Sequence, residues 1–462
     1  MGHAYTTIIC DILARSKRLQ GEEVYFLTGA DENTEKVVRA AKEAGESTEK
    51  YLNDIVENFG DLFAKLEITN NQFIRTSDEK RHWPGVIEIW KRLVKAGDIE
   101  KRSYEGLYCI GHEAFITGKD LIDGKCPDHN EKPQLLKEEN YFFKLSKYTE
   151  QIKEKIKSDE LKVIPESRKN EILALLERGL EDISFSRPVS KMSVGIPVPE
   201  DQSQRIYVWG DALTNYISAL GFGRDDDLYK KFWPANVQVI GKDILRFHAA
   251  IWPGMLLSAG LPLPQKLLVH GFITSGGKKM SKSLGNTIDP LELISEYGGD
   301  AVRYYLARHI SPFEDGDLTE ESFKEVYNAN LANGLGNLTS RIMKMAESNI
   351  ERLKEEKIEK LEETEIPKEF FEFLEKFEIN KACDFIWKEI GDMDKYIQEN
   401  QPFKVVKTDK EKGQKMISDL VVKLYSVARM LNPILPETSA KIKELIKQNK
   451  TPDKPLFARS TE

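Results

Sequence analysis

Cysteine is scarce in this chain, with four in 462 residues, at Cys10, Cys109, Cys126 and Cys383. They are too few and too scattered for a disulfide framework, which excludes the small stapled secreted domains and fits a reducing compartment. Long apolar runs are missing as well. No stretch approaches the roughly 20 apolar residues of a bilayer-spanning helix, so no membrane segment is expected. Met1-Gly2-His3-Ala4 is not a basic and then apolar leader, and a soluble cytoplasmic protein is the expectation. An excess of positive charge is also lacking. The formal net charge of −8 excludes indiscriminate nucleic-acid binding through the overall field. A nucleic-acid partner would have to meet a local basic face. What remains is ordinary: 40% hydrophobic and 9% aromatic residues, enough for buried cores in two or three domains.

Residues 1 to about 100 alternate short apolar runs with amphipathic stretches. Residues 24–29 predict a buried strand, and residues 83–96 a helix with Val86, Ile89, Trp90 and Leu93 on one face. Over 104–133 the pattern turns short, irregular and rich in Cys, His and Gly, and a helical stretch is expected over 145–180. Strand-like 205–209 and 237–241 restore the alternation. The expected fold class is α/β, a doubly wound parallel sheet of Rossmann type interrupted by an insertion, with its ligand crevice at strand carboxyl ends. Beyond about residue 320 the periodicity is helical, and the charged stretch 351–365 reads as a solvated connection within an all-α bundle.

One segment carries chemistry on its own: Gly276-Gly277-Lys278-Lys279-Met280-Ser281-Lys282-Ser283-Leu284-Gly285-Asn286. Glycines on both sides let the backbone approach a ligand, and paired ammonium groups can neutralise charge on a departing pyrophosphate. A solvated lysine turn is the plain alternative, which the serine and glycine spacing disfavours. Here the chain resembles class I aminoacyl-tRNA synthetases, whose second signature reads KMSKS.

The resemblance narrows to the methionyl-tRNA synthetase family and runs from Gly2 to roughly Pro436. Gly2-His3-Ala4-Tyr5-Thr6 is similar to the end of the first signature, His-x-Gly-His; its first histidine and the strand before it are absent from the chain, which begins at Met1. The resemblance implies catalysis by His3, Lys279 and Lys282, and ATP contacts from Gly2, His3, Asp243, Lys279, Ser281, Lys282 and Ser283. For L-methionine it implies Asp31, as acceptor for the α-ammonium group, with Trp209, Ala212, Leu213, Tyr216, Ile244 and His248 as pocket wall. Aromatic stripes are otherwise more often plain core, and a lone His248 a satisfied core histidine. Asn33 and Thr34 depart from the family's His-Gly, and no role passes to them.

Cys109-x-x-His112 and Cys126-x-x-His129 have metal-ligand types at knuckle spacing, with an unmetallated turn as the alternative. A structural zinc on Cys109, His112, Cys126 and His129 is expected, although the family usually carries cysteine where His112 stands. For the anticodon the resemblance implies Asn337 and Arg341, four apart on one helical face, and Phe403 after Pro402 where the family has tryptophan. Lys404, Lys407, Lys410, Lys412 and Lys415 follow as a phosphate-facing cluster.

The resemblance divides the chain into 1–103 and 201–275 as halves of the catalytic domain, 104–200 as the connective insertion, 276–325 as the lysine loop and stem-contact region, and 326–462 as the helical anticodon-binding domain. The implied activity is ligation of methionine to tRNA(Met), initiator included, through methionyl-adenylate, with magnesium on ATP and the protein a monomer. A synthetase-derived protein that binds tRNA or adenylate without turnover is the alternative, motivated by the incomplete first signature.

Overall fold

The structure is a computed structural model that describes residues 1–110, 114–116, 121–127, 131–280, 285–353, 355–363 and 365–460. The chain forms two compact units: residues 27–58 with 70–269, and residues 1–26, 59–69 and 270–462.

The first unit holds the parallel strands of an α/β fold. Leu27–Ala30 runs beside Gln72–Arg75, and this pairing is close at Gly29, where a Cβ would stand 2.3 Å from the Ile74 carbonyl oxygen. Only glycine allows that approach. A second group has the order Gln238–Gly241, Lys266–His270, Lys162–Ile164, in which Lys266–His270 runs parallel to Lys162–Ile164. The helix Trp83–Lys95 forms as its periodicity predicts, burying Val86, Ile89, Trp90 and Leu93. Trp90 stacks on Phe185 with centroids 6.1 Å apart, and Tyr141 meets its edge at 5.5 Å.

Two expectations fail in this unit. The helical stretch over 145–180 is broken into Thr149–Lys157 and Glu166–Glu177 by the strand Lys162–Ile164. Leu161 and Val163 are buried at a spacing of two, the strand period, which a longer helical window absorbs. The strand expected over 205–209 ends at Ile206, and Val208–Ala212 is helical. That strand, Asp201–Ile206, pairs antiparallel with Ser186–Pro188 and Pro197–Val198 rather than joining the parallel strands. The irregular region contains a long antiparallel pair, Ile99–Cys109 against Gln134–Phe143, in register from Ile99↔Phe143 to Tyr108↔Gln134.

The second unit opens with the helix Gly2–Leu19 and is otherwise mostly helical from Pro290 onward. A three-stranded sheet with the order Lys278–Lys279, Ile273–Ser275, Gly316–Asp317 precedes the bundle. Glu320–Val326 starts on a capping box between Thr319 and Ser322 and runs through a wide-turned segment, Tyr327–Gly336, into Asn337–Asn349. Residues 351–365 are not merely a solvated connection. Glu355–Glu363 is a charge-rich helix of nine residues that buries two apolar anchors, Ile358 and Leu361. None of the described helices is long and apolar enough to cross a membrane.

Candidate functional site

In the α/β unit, the segments after two strands carry the expected carboxylates at strand carboxyl ends. Asp31 follows Leu27–Ala30, is exposed, and accepts from the Thr76 hydroxyl at 3.4 Å. Asp243 is exposed in the short turn Lys242–Ile244 that follows Gln238–Gly241, with Ile244 half-buried beside it. Such ends are where α/β sheets place ligands.

Trp209, Tyr216 and His248 come together in the same unit. Trp209 stacks on Phe247 at 3.9 Å and 9°, and His248 lies edge-on to both Trp209 and Tyr216, at 6.2 and 5.8 Å. Ala212 and Leu213 are buried on the same run of chain. His248 has its Nδ1 at 3.0 Å from the Ile244 carbonyl and its Nε2 at 2.9 Å from the Tyr216 hydroxyl. A carbonyl only accepts, so Nδ1 carries the proton and the neutral ring's Nε2 accepts from Tyr216. Burial holds the imidazole pKa down at about 4, against a small opposing effect of the Ile244 bond. The result is a neutral, polarizable, aromatic surface, suited to a thioether and poor for a charged side chain.

Residues that the sequence did not single out hold this wall to the Asp31 turn. Asp211 is fully buried; its Oδ2 accepts from the Asn33 amide at 2.8 Å and its Oδ1 from His82 Nε2 at 2.6 Å. The same Asn33 amide reaches the Thr76 carbonyl at 2.9 Å, and the Thr76 hydroxyl accepts from the Glu32 N–H at 2.8 Å. His82 Nδ1 meets Ser218 Oγ at 2.7 Å. Ser218, His82 and Asp211 have the bonding order of a nucleophilic triad, yet all three are 0% exposed, so no substrate reaches the hydroxyl. Their work is positional. A carboxylate at 211 inside an otherwise apolar run was the available signal. Glu32 is likewise structural, its carboxylate taken by Arg75 at 2.8 Å and by the Ser77 hydroxyl.

In the other unit, Gly2 and His3 stand exposed in the first turn of Gly2–Leu19, where backbone N–H groups lack helical partners. His3 meets the edge of Phe59 at 5.5 Å. A second histidine, missed in the sequence, sits nearby: His270 Nε2 is 2.7 Å from the Thr6 hydroxyl and its Nδ1 2.7 Å from the Gly271 carbonyl. Lys279 is exposed at the end of the hairpin strand Lys278–Lys279, with its Nζ 5.1 Å from the Phe272 ring centroid. Ser281, Lys282 and Ser283 lie outside the described residues.

Of the four expected zinc ligands, Cys109 and Cys126 are buried in one small cluster with Ile116, packed by Leu107 and Leu121. His112 and His129 lie outside the described residues. Among the described residues no group of three or more ligand types is assembled. Cys10 and Cys383 belong to the other unit.

In the helical bundle Asn337 is exposed, while Arg341 is ion-paired with Asp394 and so does not present an unengaged guanidinium. Phe403 is 42% exposed at the start of Pro402–Thr408, a large ring offered to solvent. Lys404, Lys407, Lys410, Lys412 and Lys415 are all exposed and, among the described residues, have no carboxylate partner.

Comparison with known proteins bears on the whole of this arrangement. The family described as tRNA synthetases class I (M) matches residues 1–134 and 117–343. A methionine–tRNA ligase of Clostridium acetobutylicum is 43% identical over 455 residues, covering 96% of this chain and 70% of the relative. One from Thermotoga maritima is 39% identical over 467 residues, covering 98% and 74%. A solved structure of Mycobacterium tuberculosis methionyl-tRNA synthetase in complex with methionyl-adenylate matches with a TM-score of 0.88 at 35% identity, over 96% of this chain and 90% of that one. The free-state structure of the same enzyme gives 0.82 at 30% identity, over 100% and 95%.

Proposed function

Because the chain belongs to the class I tRNA synthetases of the methionine type, we propose that it joins L-methionine to tRNA(Met), the initiator included. The methionine carboxylate attacks the α-phosphorus of ATP, expelling pyrophosphate, and the terminal adenosine hydroxyl of the tRNA then takes the methionyl group and releases AMP. No enzyme nucleophile is required. The observation that carries the reading is the neutral His248 hydrogen-bonded to Tyr216 beside the stacked Trp209–Phe247 pair, a wall matched to an uncharged thioether.

In this reading Asp31 accepts the substrate ammonium and Asp243 the ribose hydroxyls, each from a strand carboxyl end. Gly2, His3, Lys279, Ser281, Lys282 and Ser283 hold the phosphates, and catalysis comes from positioning and from stabilising charge on the departing pyrophosphate, with magnesium on ATP. Residues 326–462 form the anticodon-binding region, with Asn337, Arg341 and Phe403 toward the bases. Arg341 must exchange its Asp394 partner to make that contact. The lysine cluster after Phe403 supplies the local basic face that a chain of net charge −8 needs. A monomer in the cytoplasm completes the proposal.

Zinc belongs to the same reading. Two buried thiols in one cluster fit half of a tetrahedral set, and His112 and His129 would complete it. The ion would fasten the irregular insertion and leave no site open for a reacting water.

Methionine-dependent exchange of pyrophosphate into ATP by the chain as written tests the function. Robust exchange is expected, with Lys282→Ala lowering its rate far more than it raises the KM for methionine. No exchange, with tRNA binding retained, would replace the enzyme by a synthetase-derived binding protein. Metal analysis that finds no zinc in protein purified without chelator would remove the zinc.

A further inference from the structure

Within the second unit, residues 457–460 lie along the wide-turned helix Tyr327–Gly336 and touch both of its ends. At the start, the Tyr327 hydroxyl donates to the Ala458 carbonyl at 2.8 Å. The Asn328 side-chain amide pairs with Ser460 twice, donating to its carbonyl at 3.2 Å and accepting from its N–H at 3.1 Å. Midway, Arg459 Nε donates to the Asn333 side-chain oxygen at 2.7 Å. At the far end the backbone passes so close that a Cβ on Gly336 would touch the Phe457 ring at 3.6 Å. Phe457 is buried and meets the Tyr327 ring edge to face, with centroids 6.0 Å apart.

Wide turns sustained over ten residues are rare, and something must hold them. Buried side chains supply one part. Phe323, Tyr327, Leu331 and Leu335 are buried at steps of four, and in an ordinary helix of about 3.6 residues per turn each such step drifts by about 40° around the axis. Wider turns offset that drift and keep the row on one side. Residues 457–460 supply the other part, because they are fastened to the first two residues of the wide helix and pack on its last. Asn337 follows directly, and Arg341 comes one turn later. Loss of one residue of register inside the wide helix would turn the helix beyond it by about 100° relative to the helix before it.

We propose that residues 457–460 are a splint that sets the register of the wide helix and so aims Asn337 and Arg341 at the anticodon, with Asn328 and Phe457 as its positioning residues. Asn328 suits this work because an amide side chain both donates and accepts, as the backbone of a neighbouring strand would. The assignment rests on the proposed function, since it requires Asn337 and Arg341 to read anticodon bases.

The test measures kcat/KM for charging of two full-length transcripts, tRNA(Met) and the same tRNA with its first anticodon base changed. Wild-type protein should prefer the first. Asn328→Asp, which keeps the size of the side chain and loses its donor, should lower that preference about tenfold, through loss on the unchanged transcript alone. Phe457→Ala should act in the same direction, and Phe457→Leu, which refills the contact with Gly336, should restore most of the preference. Methionine-dependent pyrophosphate exchange, which needs no tRNA, should stay within about twofold of wild type in rate and in both KM values. Exchange retained in the same samples separates lost aim from misfolding. Variants that keep the wild-type preference, or that retain exchange and lose equally on both transcripts, overturn the splint. Wild-type protein that does not distinguish the two transcripts would instead overturn the anticodon reading on which it rests.

Discussion

On the proposed function, His248 is a buried side chain that would couple recognition to pH. Its imidazole is neutral because burial penalises the charged ring, and its two nitrogens are already committed to Ile244 and Tyr216. The folded value of about 4 lies below the ordinary 6.5, so between these limits the unfolded chain binds more protons than the folded one. The contribution to stability is therefore complete above about pH 6.5 and is lost progressively as pH falls toward 4, amounting to about 3 kcal/mol at the low end. Urea unfolding between pH 4 and 7 should show a slope that His248→Gln flattens by about one proton. Identical slopes in the two proteins would mean that the ring is protonated or solvated in the fold. Within the pocket, a charged imidazolium would repel the substrate ammonium and desolvate poorly against a thioether, so the same titration should raise the KM for methionine as pH falls.

At the scale of elements, the lysine hairpin is held by a residue outside it. Asp317 accepts from the Thr274 hydroxyl at 2.7 Å and from the Gly277 N–H at 2.8 Å. Those bonds, the Thr274 hydroxyl first, hold its carboxyl below the usual carboxylate range. Asp315 adds a bond to the Phe272 N–H at 2.9 Å, and at Gly271 a Cβ would stand 2.2 Å from the Glu314 carbonyl oxygen. The strand Gly316–Asp317 thus fixes the turn that delivers Lys278–Lys279. Asp317→Ala should lower the rate of pyrophosphate exchange by about tenfold or more while leaving the KM for methionine unchanged, because it displaces charge from the transition state without touching the amino acid. Asp317→Asn, which keeps an accepting oxygen, should retain most of the rate. A rise in the KM for methionine with no change in rate would show that the clamp serves another part of the fold. The sequence made Lys279 legible through glycine and serine spacing, whereas Asp317 lies forty residues beyond Gly277 and reaches the hairpin through parallel pairing and side-chain bonds that no local pattern records. The same reason hid Asp211, His82 and Thr76, whose partners are distant in the chain. What local period could carry was readable: the helix at 83–95, the strands that precede Asp31 and Asp243, and the helical bundle. It misled where a three-residue strand interrupted two helices, because Lys162–Ile164 is shorter than the window that detects a helix.

At the scale of the whole molecule, one buried ion pair ties the amino-terminal helix to the helical bundle within its unit. Asp11 and Arg303 are both 0% exposed and 2.8 Å apart. Arg303 also donates to the carbonyls of Leu66, Pro433 and Ile434 at 3.0, 2.7 and 2.8 Å. Asp11 accepts in addition from the Thr69 N–H at 2.8 Å, its hydroxyl at 2.6 Å and Arg15 at 2.8 Å. A pair so satisfied costs little against an apolar substitute, but either charge left alone is expensive. Arg303→Met should destabilise the protein by about 3–5 kcal/mol, and Asp11→Leu/Arg303→Met should be less destabilised than the sum of its single variants. The pH dependence has a defined sign. Burial alone would raise the Asp11 pKa, but Arg303, Arg15 and Thr69 outweigh it and hold the carboxylate below its ordinary 3.8. Its contribution is therefore complete above the unfolded value near 3.9 and lost as pH falls through the folded one. Wild-type protein should accordingly lose stability more steeply below pH 4 than Asp11→Asn, which has no proton to gain at that site. Single variants whose losses add in full, together with equal acid slopes, would mean that the two charges do not depend on each other, and that the helix is held to the bundle by its buried Tyr5, Ile8, Ile9 and Ile12 alone.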